Sequence, residues 1–403
     1  MKIMRRSRWL ARLAAMVVVG VAGLVAVAPA PASAGIVFQS HVAATWGYAW
    51  LGDGTPGRSL YGDIKAVGNN VAQVSAGWGD HRLAVRSDGT VWAWGLNWLG
   101  QVGDGTTANR ATPVQVTGLA GVTQVVAGGL HSLALRSDGT VWAWGFNRYG
   151  QLGNGTTDNS PSPVQVTRLA GITKIAAGEY FSLALRSDGT VWAWGRNNHG
   201  QLGNFSTDFS DLPVMVAGLS HATGISAGMD HAVATATNGI SAVTSVWAWG
   251  ANDHGQLADG DPTFADHAAT RVTGLPSFIA GISAGGQFTT ALGTDGTVWA
   301  WGDNDDGQLG STPTGVFTVR PANTVGIGSG ITQLSAGGAY VLALKSNGTV
   351  LAWGSNAFGQ LGIGSTSSAA GPVQVAGLTS ATQVAAGLDT SLAVHTVPYL
   401  MGL

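Results

Sequence analysis

Gly139-Thr140-Val141-Trp142-Ala143-Trp144-Gly145-Phe146-Asn147-Arg148-Tyr149-Gly150-Gln151-Leu152-Gly153 decides the fold, because it recurs. A near-copy runs from Gly189 through Trp192-Ala193-Trp194-Gly195 to Gly200-Gln201-Leu202-Gly203. Further copies centre on Trp94-Gly95, Trp249-Gly250, Trp301-Gly302 and Trp353-Gly354, and a degenerate one sits at Trp46-Gly47. Successive Trp-Gly pairs are 48, 50, 50, 55, 52 and 52 residues apart. A period near 50 is the mark of a propeller or solenoid.

Within a repeat, an Ala-Gly turn leads to a strand, as in Ala127-Gly128 to Leu135. A Ser-Asp-Gly-Thr turn follows (Ser137 to Thr140), with Asp-Gly expected to supply the positive φ angles of a tight hairpin. The next strand is Val141-Trp142-Ala143-Trp144-Gly145. Its period of two puts Trp142 and Trp144 on one face and Ala143 on the other. A large and a small face on every copy suit radially stacked sheets, so both tryptophans of each pair are expected in the core. Strands at Pro113-Val114-Gln115-Val116 and Thr123-Gln124-Val125-Val126 bring the unit to four, a propeller blade. Seven Ala-Gly units begin at Ala76, Ala127, Ala177, Ala227, Ala284, Ala336 and Ala386. The first Trp-Gly strand, at Trp46, lacks the partner before it, and the last partner, Ala386 to Val394, lacks the strand after it. The expected fold is all-β: a seven-bladed propeller of four-stranded blades, closed by pairing of N- and C-terminal strands, which removes the open edges.

The chain starts with Lys2, Arg5, Arg6, Arg8 and Arg12, then an apolar run to Ala28 and the small-residue pattern Ala32-Ser33-Ala34. This reads as a signal peptide over residues 1–34, with the propeller over 35–403 and the protein secreted or at the cell surface. The apolar run is shorter than the roughly 20 residues of a membrane span, so no span remains after cleavage. Without those five basic residues the chain holds 14 basic and 21 acidic residues, about −7. A nucleic-acid binder would show a basic face, and none is evident. With no cysteine there is neither disulfide nor thiolate chemistry.

Catalytic constellations are scarce. Glu179 is the only glutamate, and no nucleophile elbow, metalloprotease helix motif or phosphate loop occurs. Asp88, Asp138, Asp188 and Asp295 belong to repeated turns. Asp303-Asn304-Asp305-Asp306-Gly307 resembles a calcium loop but lacks the terminal glutamate. His81, His131 and His231 share a repeat slot with Phe181, Phe288, Tyr340 and Thr390, which reads as packing. The expectation is a non-enzyme without cofactor or metal, and a monomer.

The run His131 to Gly153 resembles the regulator of chromosome condensation repeat family, over about Val42 to Val394. The resemblance implies the same seven-bladed fold and no single activity. The family includes a nuclear guanine-nucleotide exchange factor that inserts a β-wedge beside a bound nucleotide. The hairpin from Ala234 to Val246, about six residues longer than its counterparts, is the feature here that resembles a wedge. A plant ultraviolet-B photoreceptor is similar in fold, but its Gly-Trp-Arg-His-Thr motifs are absent. A secreted propeller-type β-lactamase inhibitor is the nearest functional precedent that the resemblance offers.

The informative positions vary while their framework stays constant. One set lies in the Ala-Gly turns: Trp78, Asp80, Glu179, Tyr180, Asp230 and Asp389. The other follows the loop asparagine: Trp98, Arg148, Tyr149, His199, His254, Asp305, Asp306 and Phe358. Both loop sets are expected to open on one end of the ring as a partner-binding rim, since Tyr, Trp and Arg concentrate in binding hot spots. Protein binding is the first expectation. Carbohydrate or cell-wall binding is the alternative, and exchange-factor-like regulation a lesser one.

Overall fold

The structure, a computed structural model, describes residues 37–48, 51–54, 59–241, 243–260, 266–313, 317–324 and 326–400. The expected export segment lies outside the described residues. Among the described residues, seven antiparallel four-stranded sheets are formed. Blade 2 shows the plan: Val122–Ala127, His131–Arg136, Val141–Gly145 and Ser160–Gln165 pair in sequence order from the channel outwards. Blades 1, 3, 4, 5 and 6 (residues 71–115, 172–215, 222–271, 279–323 and 331–374) repeat it. Blade 7 is composite, with Ala381–Ala386 and Thr390–Leu400 from the end of the chain and Val37–Gly47 and Ser59–Asp63 from its beginning. Val37–Gly47 pairs with Thr390–Leu400 in one unbroken register, from Val37 opposite Leu400 to Gly47 opposite Thr390. The expected closure is therefore observed.

Only one tryptophan of each pair is core. Trp46, Trp94, Trp144, Trp194, Trp249, Trp301 and Trp353 are fully buried. Trp144 packs with Ala93, and Trp194 with Ala143, of the preceding blade. The indole Nε1 then donates to the preceding blade's Gln carbonyl, at 2.8–3.0 Å in six blades. Trp92, Trp142, Trp192, Trp247 and Trp299 are half-buried, correcting the expectation. They stand nearer the hairpin turn, where Trp92, Trp192 and Trp299 donate to the threonine hydroxyl of the Asp-Gly-Thr sequence and Trp247 to Ser245. In that turn only the glycine takes a positive φ (Gly139, 79°), and Asp138 Oδ1 instead accepts from Thr140 N at 3.0 Å. This is the three-residue hairpin with a glycine bulge, not the two-residue turn.

The packing slot is a matched relay between blades. His81, His131 and His231 bond the hydroxyls of Ser132, Ser182 and Thr289 on the next blade, at 2.9–3.0 Å. Tyr340 meets Ser391 in the same way, whereas Phe181 and Phe288 face Ala232 and Val341 at the matching positions. Burial lowers each of the three histidines to about 3, so they remain neutral spacers. At the seam the pair becomes Thr390 with buried Arg82.

The innermost strands would leave an open edge along the channel. Glutamines cover much of it: Gln73, Gln124, Gln333 and Gln383 each clip the main chain of the next blade. The ring-closing clip is Gln383, whose Oε1 accepts from Val74 N at 2.8 Å while its Nε2 donates to Val74 O at 3.1 Å. Gln383→Ala strands both backbone groups. We expect it to cost about 1–3 kcal/mol in chemical denaturation, and an unchanged midpoint would contradict this role.

Candidate functional site

The turn between the first and second strands and the loop between the third and fourth leave the same end of every blade. Backbone bonds join them: Leu96 N to Asp80 O (2.8 Å), Phe146 N to Leu130 O and Arg196 N to Tyr180 O (both 2.9 Å). The loop asparagine and glutamine are buried scaffolding. Asn147 Oδ1 accepts from Leu152 N at 2.8 Å, and Gln151 Oε1 from Tyr149 N at 3.0 Å, and the other blades repeat the pattern. Their hydrogen bonds hold the two residues after each asparagine outwards.

The structure gathers four of the expected rim residues into one patch across blades 2, 3 and 4. Tyr149 and Tyr180 lie 5.8 Å apart, and Phe146 stands 6.2 and 5.8 Å from them. Arg196 covers both tyrosines, its Cζ 5.9 and 5.7 Å from their rings. Its Nη1 reaches Asp230 at 3.7 Å and Glu179 at 4.0 Å, and Gln201 Nε2 donates to Asp230 at 2.9 Å. Burial raises the Glu179 carboxyl, the Asp230 carboxylate adds to the shift, and Arg196 and a Tyr180 hydrogen bond oppose it. Phe146 and Arg196 were not among the expected residues. They occupy the position between Trp-Gly and Asn, where the chain varies through Leu96, Phe146, Arg196, Ala251, Asp303 and Ser355. That variation is the signal that would have found them.

A second patch straddles the seam. Tyr48 meets Phe358 at 5.0 Å, and Arg82 reaches Asp80 at 3.8 Å beneath Asp389. Burial raises the Asp389 carboxyl from 3.8 to about 6, with Asp80 adding and Arg82 opposing. The folded state thus holds this proton more tightly than the unfolded chain. The resulting stabilisation is complete below about 3.8 and is lost as the pH rises through about 6. Asp389→Asn should flatten that fall in thermal midpoint. Parallel curves for the two proteins would contradict it.

The remaining expected residues stay apart. Trp78 borders the end of the central channel. Trp98 is 70% exposed, Arg148 projects into solvent, and His199 is half-buried. His254 packs 6.0 Å from Phe317. Asp305 and Asp306 follow Asp303, whose carboxylate accepts from Asp305 N (3.1 Å) and Gln308 Nε2 (2.8 Å) and so serves the turn. Among the described residues no group of three or more His, Cys, Asp or Glu side chains could hold a metal ion, and no helix is long and apolar enough to cross a membrane.

Seven stitched blades with variable loops at one end define a β-propeller. The chain belongs to the regulator of chromosome condensation repeat family. The RCC1-like domain model matches residues 51–291, and the regulator of chromosome condensation (RCC1) repeat matches 295–344 and 347–394. Similar curated proteins include the human (Homo sapiens) probable E3 ubiquitin-protein ligase HERC6, 34% identical over 166 residues. Another is the mitochondrial RCC1 domain-containing protein RUG3 of Arabidopsis thaliana, 32% identical over 157 residues. The matches take in 39% and 36% of this chain but only 16% and 35% of those relatives. Among solved structures, human WBSCR16 superposes with a TM-score of 0.78 at 22% identity, over 88% of this chain and 98% of that one. Prp20p of Saccharomyces cerevisiae, whose structure was reported with its binding to Gsp1p and histones, gives 0.77 at 23%, over 90% and 92%. At these identities the likeness is one of fold.

Proposed function

We propose that this propeller is an exported scaffold that binds a protein partner through its rim and performs no catalysis of its own. The observation that carries the reading is the Arg196 patch. Three aromatic rings and a guanidinium, the side chains that dominate binding hot spots, are held in place before any partner arrives. Arg196 is oriented by two carboxylates and two rings, so little side-chain freedom is left to lose on association. Prp20p, with its reported binding to Gsp1p and histones, supplies a protein-binding precedent on the same fold. Export rests on the basic and apolar start of the chain and its Ala32-Ser33-Ala34 site. The test is capture of a partner by the native protein and its loss when Tyr149, Tyr180 and Arg196 are replaced by alanine.

A further inference from the structure

At the end of the ring opposite the rim, blade 4 departs from blades 1, 2 and 3; blade 5 also lacks the arginine, with Gly293 in its place, but keeps the turn aspartate Asp295. In blade 2, Arg136 caps the half-buried Trp142, its Cζ 6.0 Å from the ring, and its charge is answered by Asp138 at 3.5 Å. Blade 3 repeats this with Arg186 over Trp192 at 5.9 Å and Asp188 at 2.6 Å. In blade 4 the capping position is Ala236 and the turn aspartate is Asn238. The hairpin is also longer: His231 to Gly250 spans five residues more than His131 to Gly145, where six were expected. No arginine therefore stands at the capping position of Trp247, whose Nε1 donates to Ser245 Oγ at 3.3 Å, and a cleft of about 490 Å³ opens beside it.

The cleft wall carries a set of groups with one chemical meaning. Trp247 presents an aromatic surface, Ser220 a hydroxyl and Asn238 its amide Nδ2; Asn238 Oδ1 already accepts from Ile240 N and Ser241 N, and Ser245 Oγ already donates to Ala236 O. His221 is held by Ser220 at 3.2 Å. Arg271 stands opposite Trp247 in the strand register, where Gln115, Gln165 and Gln374 stand in blades 1, 2 and 6. Among the described residues no aspartate or glutamate lines the cleft, although the chain as a whole is net acidic. The volume is in the range of small-ligand sites.

We propose that this cleft binds an acidic oligosaccharide, one bearing uronic-acid carboxylates. The Trp247 face meets the C–H face of a pyranose ring, the Ser220 hydroxyl and the Asn238 amide meet its hydroxyls, and the planar fork of Arg271 takes the carboxylate. The site is independent of the rim patch, so each can fail without the other.

The probe is trigalacturonic acid, titrated calorimetrically against the protein, with neutral galactotriose beside it. Arg271→Gln and Trp247→Leu install residues that other blades carry at these positions (Gln165 and Leu351), so folding should survive. We expect binding of trigalacturonic acid, weaker binding of galactotriose, and a loss of at least about tenfold in either variant, equivalent to ~1.4 kcal/mol. Arg320→Gln, which removes a charge elsewhere, should bind like the native protein. No binding of the acidic probe, equal binding by Arg271→Gln, or stronger binding of the neutral sugar would overturn the proposal.

Discussion

Deletion of residues 388–403 abolishes cooperative unfolding. The lost strand pairs along all of Val37–Gly47 on one side and with Ala381–Ala386 on the other. Its Leu392 and Val394 pack in one cluster with Trp94, Val74 and Ile64 across the seam. Without it the first strand of the chain has no inner partner, and the ring opens between blades 6 and 1. Domain stability is only roughly 5–15 kcal/mol, and a single buried Leu→Ala change removes about 2–5. Losing a whole central strand exceeds that margin. Circular dichroism on heating should show a broad, non-cooperative change, and Leu392→Ala a cooperative one at lower temperature. A truncated chain that melts sharply at the native midpoint would contradict the closure.

The second large effect is at the rim. Arg196→Ala should weaken partner binding by ~2 kcal/mol or more, about 30-fold, as truncation of a hot-spot arginine does. The change removes the plate lying over Tyr149 and Tyr180 and leaves the Glu179 and Asp230 carboxylates facing each other without their shared cation. Arg196→Lys keeps the charge but not the planar group that covers two rings, so it should rescue little of the affinity. Full rescue by lysine would mean that charge alone matters. Because Arg196 is about a quarter exposed, stability should change far less than binding.

Much of this molecule was legible in the chain. The spacing of Trp-Gly pairs marks the blades, and the unpaired units at Trp46 and Ala386 mark the composite blade. Repetition made them readable, because seven copies average out local accidents. What escaped notice depends on relations between blades. Gln73, Gln124, Gln333 and Gln383 look like ordinary surface residues of alternating strands. Only the ring places each beside its neighbour's open backbone. Trp142 and Trp144 are equivalent by alternation, and their different burial comes from their distance from the turn. Tyr149, Glu179, Tyr180 and Asp230 stand out in the chain because they vary within a constant frame. Arg196 and Phe146, one position before that frame, bind the four into a patch.

Protein binding at the rim is the function proposed for this propeller. Its most direct test is capture from extracellular and envelope fractions with the native protein, followed by calorimetric titration of the captured protein. The same titration is run on a folded variant carrying Tyr149→Ala, Tyr180→Ala and Arg196→Ala, and on Arg271→Gln at the far end. We expect one protein partner whose affinity falls more than about 100-fold in the rim variant, ~2.7 kcal/mol, and is unchanged by Arg271→Gln. Equal affinity for the native and rim-variant proteins would contradict it.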